Sequence, residues 1–201
     1  LLGKILEQLG GAPLDELARE YVFGPLGMAH TTYRPEGDVA PTERDPATGE
    51  LLRGVVHDEN ARFLNGISGN AGVFSDLEDM TRFVQMLVRG GRLPDGSYYL
   101  APATLRAALI NRTPGPEHEF RGLGFNLAGS PFNFLADLMS PAAYGHTGFT
   151  GTSIAVDPET GPHVVLLTNR VCPTRENNKL IRLRNLVHNA AAAEASRLAA
   201  R

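Results

Sequence analysis

Two β-branched runs, Thr152 to Val156 and Val164 to Thr168, flank the turn-forming segment Asp157-Pro158-Glu159-Thr160-Gly161-Pro162. A parallel pair would need a crossover of roughly a dozen residues or more. A connection this short, built of turn formers, closes a hairpin instead, so the pair is predicted to be antiparallel. Downstream, Leu180, Leu183, Val187, Ala191, Ala195 and Leu198 recur at helical spacing and predict a final helix that covers the sheet. Upstream, Leu123, Phe125 and Leu127 alternate with Gly124 and Asn126, the period of a half-buried strand. Antiparallel strands backed by a helix place the chain in the α+β class.

The first half reads differently. Leu2, Ile5, Leu6 and Leu9 form a helical stripe that stops at Gly10-Gly11, and Pro13 opens a second helix with Leu14, Leu17, Tyr21 and Val22 on one face. Gly24-Pro25-Leu26-Gly27-Met28 cannot continue it, and residues 29–60 show no sustained period, which predicts a long loop. Ser75 with Glu78 reads as a capping box for a helix whose stripe is Leu77, Met80, Val84, Leu87 and Val88. Pro102 starts a short helix through Leu105 and Leu109, and Thr113 to Gly122 is turn-rich. The expected organisation is one domain over 1–201, mainly helix and loop in 1–122, with strands and the last helix in 123–201.

Several functions are disfavoured. Hydrophobic residues at 42% and charged residues at 20% fit a folded globular domain. With 19 basic and 22 acidic residues the charge is -3, and no basic stretch offers nucleic acid a footprint. Apolar runs such as Val164 to Leu167 are too short to span a bilayer, and no segment reads as a signal peptide. The single cysteine, Cys172, can form neither an internal disulfide nor a cysteine zinc cage. Compartment stays open between secreted or periplasmic and cytoplasmic. Since the chain starts at Leu1 inside a helical pattern, a fragment of a longer protein is expected.

Tyr144-Gly145-His146-Thr147-Gly148-Phe149-Thr150-Gly151-Thr152 leads into the hairpin with three glycines, a poor recipe for strand stability. Such glycines admit another backbone, a helix or a ligand, so the segment is either a tightly bent sheet or a binding edge. His57-Asp58-Glu59-Asn60 lacks the histidine spacing of a zinc site, and no metal is expected there. Glu43 reads as an exposed loop charge. Arg182, Arg184, Arg197 and Arg201 read as the solvated face of the last helix.

His146-Thr147-Gly148 resembles the third motif of the penicillin-recognising serine hydrolases, which include class C β-lactamases, DD-peptidases and related esterases. Other landmarks agree in order: the helix Leu1 to Leu9 with Pro13-Leu14, Pro25-Leu26-Gly27-Met28, Ala71-Gly72-Val73-Phe74-Ser75, and Val165-Leu166-Leu167-Thr168-Asn169. The resemblance covers roughly residues 1–189 and implies a β-lactamase/transpeptidase-like fold. It also implies an acyl-enzyme acting, without metal or cofactor, on a small-molecule or peptide substrate: a β-lactam, a D-Ala-D-Ala peptide or a small ester. Within it, the Phe149 N–H would supply half of an oxyanion hole and Thr147 would bind a substrate carboxylate or carbonyl. Gly148 would let the strand come close, and His146 would stand where lysine stands in relatives, titrating near a reference pKa of ~6.5 and making activity pH-dependent.

The departures matter equally. No serine here has a lysine three residues later, and none of the five tyrosines has an asparagine two residues later. In the family, those nucleophile and base motifs precede the helix matching Leu1 to Leu9. The chain is therefore expected to be the later portion of a hydrolase, lacking an N-terminal helix and strands and inactive alone. A non-catalytic penicillin-binding-like module is the alternative. Ser68-Gly69-Asn70 fits a Ser-x-Asn pattern, but its place before Ala71-Gly72 matches a turn of the family.

Overall fold

A computed structural model describes residues 1–201 apart from Pro46, Pro114, Pro116, Phe132, Asn133 and Arg201. It divides into two units, one of residues 1–83 with 169–177 and one of residues 84–168 with 178–201.

In the first unit, helix α1 (Leu2–Gly10) ends where Gly11 turns left-handed at φ 69° and donates its N–H to the Glu7 carbonyl. Helix α2 (Leu14–Ala18) follows Pro13 and runs into a π-turn at Arg19–Phe23. The stretch expected as an aperiodic loop contains a small hairpin, β1 (Pro41–Arg44) paired antiparallel with β2 (Leu51–Arg53). Strands of four and three residues are too short for an alternating pattern to emerge from the sequence. Helix α3 (Glu59–Phe63) is capped by Asp58, whose carboxylate accepts from the Ala61 N–H at 2.7 Å.

Helix α4 (Leu77–Val88) begins one residue later than a cap at Ser75 would start it. Asp76 accepts from the Asp79 N–H at 2.9 Å, while the Ser75 hydroxyl lies 2.7 Å from that of Thr31. Of the two adjacent capping types, the carboxylate also gains from the positive helix end, and the serine is free to bind the neighbouring segment. The boundary between the units falls within α4.

The second unit holds helix α5 (Pro102–Ala108) and an antiparallel sheet in the order β3-β4-β5-β6. Its strands are β3 (Asn126–Leu127), β4 (Tyr144–Thr147), β5 (Ser153–Val156) and β6 (His163–Leu166). The predicted hairpin is β5–β6, with Ile154 opposite Val165. Its turn is pinned by Asp157, which is fully buried and accepts from the Ser140 N–H at 2.6 Å, the Ser140 hydroxyl at 2.7 Å and the Glu159 N–H at 3.0 Å. The upstream strand is shorter than its alternation implies. Leu123 is 61% exposed, Asn126 is buried at 6%, and Phe125 meets Tyr144 edge to face at 5.2 Å.

Helix α6 (Leu180–Ala199) packs on this unit through Leu180, Arg184, His188 and Ala192, an i, i+4 line. The expected stripe is offset from it, since Leu183 and Leu198 are exposed. Polar anchors set the rotation. Asn185 donates to the Leu135 carbonyl at 3.0 Å, and His188 Nδ1 lies 3.1 Å from that of Phe134. Leu135, Ala136, Met139, Ala143, Ala155 and Ala192 form the core beneath. The class is α+β, and no helix among the described residues is long and apolar enough to cross a membrane.

Candidate active site

Strand β4 carries His146 and Thr147, then gives way to the turn Gly148-Phe149-Thr150-Gly151 before β5. Crowding within the sheet and its turn explains Gly145 and Gly148. A Cβ on Gly145 would lie 2.1 Å from the Ile154 carbonyl oxygen, and one on Gly148 would lie 2.2 Å from the Thr152 hydroxyl. The turn closes through Gly148 N–H to the Thr152 carbonyl at 2.8 Å and Gly151 N–H to the Gly148 carbonyl at 3.1 Å.

A buried guanidinium braces the same turn. Arg184, expected on the solvated face of α6, is 8% exposed, and its Nη2 donates to the carbonyls of Gly148 at 2.7 Å and Thr152 at 2.8 Å. Its long side chain gives the two turn carbonyls a second, charged donor, which offsets the cost of burying the charge. Of the other arginines assigned to that face, Arg182 is exposed, Arg197 pairs with Glu194, and Arg201 lies outside the described residues. Phe149 is 59% exposed at the tip.

His146, Thr147, Gly148 and Phe149 thus form one continuous edge and turn. Strand β3 pairs only with Tyr144 and Gly145, so the sheet ladder on that side stops short of His146. His146 Nε2 lies 3.2 Å from Arg121 Nη1, and its Nδ1 lies 2.9 Å from the Thr147 carbonyl oxygen. Arg121 is paired in turn with Glu119, whose carboxylate also accepts from Asn126 Nδ2 at 3.1 Å. The ring keeps an open face, yet surrounding atoms crowd it enough that burial, reinforced by the Arg121 charge, holds its pKa below the usual imidazole value. The expectation of ordinary titration for His146 is therefore corrected downward.

The remaining candidates lie in the first unit. Ser68 donates to the Asn70 side-chain oxygen at 2.6 Å in a bend. Glu43 is not an exposed loop charge: it is buried on β1, clamped by Arg175 through bonds of 2.9 and 2.6 Å and 3.0 Å from His57 Nε2. Arg175 also reaches Glu59 at 2.7 Å, so loop, hairpin and α3 share one charge network. The Arg175 hydrogen bonds hold the Glu43 carboxyl below its usual range, and burial holds His57 below its own.

Among the described residues, His30, Asp76 and Asp79 form a group whose possible ligand atoms lie within 4.8 Å of one another. Its carboxylates already serve the start of α4. Asp79 accepts from the His30 N–H and the Thr31 hydroxyl, both at 2.8 Å, and the bond to Asp76 raises the His30 pKa. The positive end of the helix opposes a cation there.

Sequence reasoning missed Arg121, Glu119, Arg175 and the role of Arg184. Only Arg184 left a signal, its i, i+4 register with Leu180, His188 and Ala192.

A family model described as Beta-lactamase matches residues 1–189. A protein of Escherichia coli (strain K12), named "Putative D-alanyl-D-alanine carboxypeptidase", is 33% identical over 190 residues, covering 85% of this chain and 43% of the relative. The chain thus spans less than half the length of that relative. Among solved structures, a beta-lactamase from Mycobacterium bovis aligns with a TM-score of 0.66 at 21% identity, over 96% of this chain and 61% of that one. The octameric penicillin-binding protein homologue from Pyrococcus abyssi aligns with a TM-score of 0.62 at 19% identity, over 92% and 40%. These likenesses extend to the fold.

Proposed function

The chain belongs to the beta-lactamase family, and from that premise we propose that it is the later part of a serine hydrolase working through an acyl-enzyme. The observation that carries this reading is the open stretch of β4, where His146 and Thr147 run past the end of β3 into the turn at Phe149. An unpaired strand edge can bind a peptide-like substrate through main-chain hydrogen bonds. The substrate class favoured is a peptide ending in D-Ala-D-Ala, in line with the name of the Escherichia coli relative. β-Lactams and small esters share its acyl chemistry.

In this mechanism a serine from outside these 201 residues attacks the substrate carbonyl, because no Ser-x-x-Lys exists within them. Charge gathers on the carbonyl oxygen, where the Phe149 N–H stabilises it. The Thr147 hydroxyl binds the substrate carboxylate, and Gly148 keeps the strand free of a side chain that would crowd Thr152.

In the full-length protein, a fluorophosphonate probe and a fluorescent penicillin should both label covalently, and a D-Ala-D-Ala peptide should release D-alanine. Thr147→Val should lower kcat/KM by about 10- to 100-fold, the loss expected for one hydrogen bond to a charged group. Reversible penicillin binding without labelling or turnover would replace the enzyme with a binding module.

A further inference from the structure

The ring of His146 lies between two groups whose hydrogen-bonding capacity is fixed. Arg121 Nη1 is 3.2 Å from Nε2, and a guanidinium can only donate, so Nε2 must present its lone pair. The Thr147 carbonyl oxygen is 2.9 Å from Nδ1 and can only accept, so Nδ1 must carry the proton. One neutral tautomer satisfies both neighbours. The imidazolium would set N–H against N–H beside a positive charge.

We infer that Arg121 is a positioning residue that holds His146 as the neutral Nδ1–H tautomer, so that the fixed positive charge at this end of β4 belongs to Arg121 and not to a titrating ring. Arg121 is aimed by its pair with Glu119, and Glu119 by the Asn126 amide at 3.1 Å. Across the ladder the partner of His146 is Ile154, which adds no charge. Arg121 and Glu119 are the charged groups that act on the ring, Arg121 disfavouring its proton and Glu119 favouring it. With Nε2 engaged by Arg121, His146 donates no hydrogen bond from that nitrogen to a substrate. Recognition then falls to the Thr147 hydroxyl and the strand backbone.

The kinetic consequence rests on the proposed function, whereas the state of the ring rests on geometry alone, and the test separates them. In the full-length protein, long-range ¹H–¹⁵N correlation NMR of His146 should show the Nδ1–H tautomer at pH 7. Arg121→Gln should raise the His146 pKa, and Glu119→Gln should lower it. Arg121→Lys, which keeps a donor and a charge, should preserve the wild-type titration and serves if Arg121→Gln fails to fold. In turnover, Arg121→Gln should reduce kcat/KM about tenfold, the scale of one charge-assisted bond, and add a pH limb that the wild type lacks. An Nε2–H tautomer, a protonated ring at pH 7, or opposite shifts in the variants would overturn the assignment. If the NMR results hold while the wild type neither labels nor turns over substrate, this assignment stands and the enzyme reading fails.

Discussion

Asp157 shows how much one side chain can decide. Burial alone would raise its pKa, but the bonds from Ser140, Thr160 and Glu159 outweigh burial and bring it down to about 2. A carboxylate whose folded pKa is depressed contributes stability that is complete above its unfolded value, near 3.8, and that is lost as pH falls towards 2. The shift corresponds to about 2 kcal/mol. His57 and His188 add a limb at higher pH. Burial lowers the folded pKa of both, so around the ordinary imidazole value of 6.5 the unfolded chain binds more protons, and stability falls as pH drops below that value. Denaturant melts across pH 2–8 should show both limbs. Asp157→Ala should remove the lower one and cost about 2–4 kcal/mol at pH 7 by leaving the Ser140 N–H unpaired. The turn residues around Asp157 were legible as a turn, but no local pattern indicates that the carboxylate bonds a loop 17 residues earlier.

At the scale of elements, the hairpin β1–β2 and helix α3 are each too short to persist by propensity. What joins them is the Glu43, His57, Glu59 and Arg175 network, along with the Asn169 amide donating to the Pro41 carbonyl. Arg175→Met should strand the buried Glu43 carboxylate and cost about 2 kcal/mol, less than for a wholly buried pair because Arg175 is partly open to water. Combining it with Glu43→Gln should recover part of that loss in a double-mutant cycle, and additive losses would disprove the coupling. In the sequence Glu43 reads as an exposed loop charge and nothing links it to Arg175, since the two are 132 residues apart.

For the molecule as a whole, apolar surface is distributed unevenly. In α1, Leu2, Ile5, Leu6 and Leu9 are exposed, Leu9 at 81%, and in α6 so are Ile181, Leu183 and Leu186. A helical stripe of this kind normally lies against another element. The 201-residue chain expressed alone should therefore self-associate. In sedimentation velocity, replacing Leu2, Ile5 and Leu9 with glutamine should shift the population to monomer, and an unchanged distribution would show that α1 is not the sticky face.

The helices with clear stripes, the β5–β6 hairpin and the α+β class were set by the sequence itself, because they depend on residues a few positions apart and on the steric rules of proline, glycine and β-branched side chains. The order of landmarks around His146-Thr147-Gly148 likewise needed no coordinates to identify the family. Tertiary structure decided the rest. The pKa of His146 is shifted by burial and by Arg121, 25 residues away; whether Arg184 meets water depends on carbonyls 36 residues away; and whether Glu43 is buried depends on Arg175. Charge states and the destinations of long side chains are fixed by desolvation and by partners that only the folded chain brings within bonding distance.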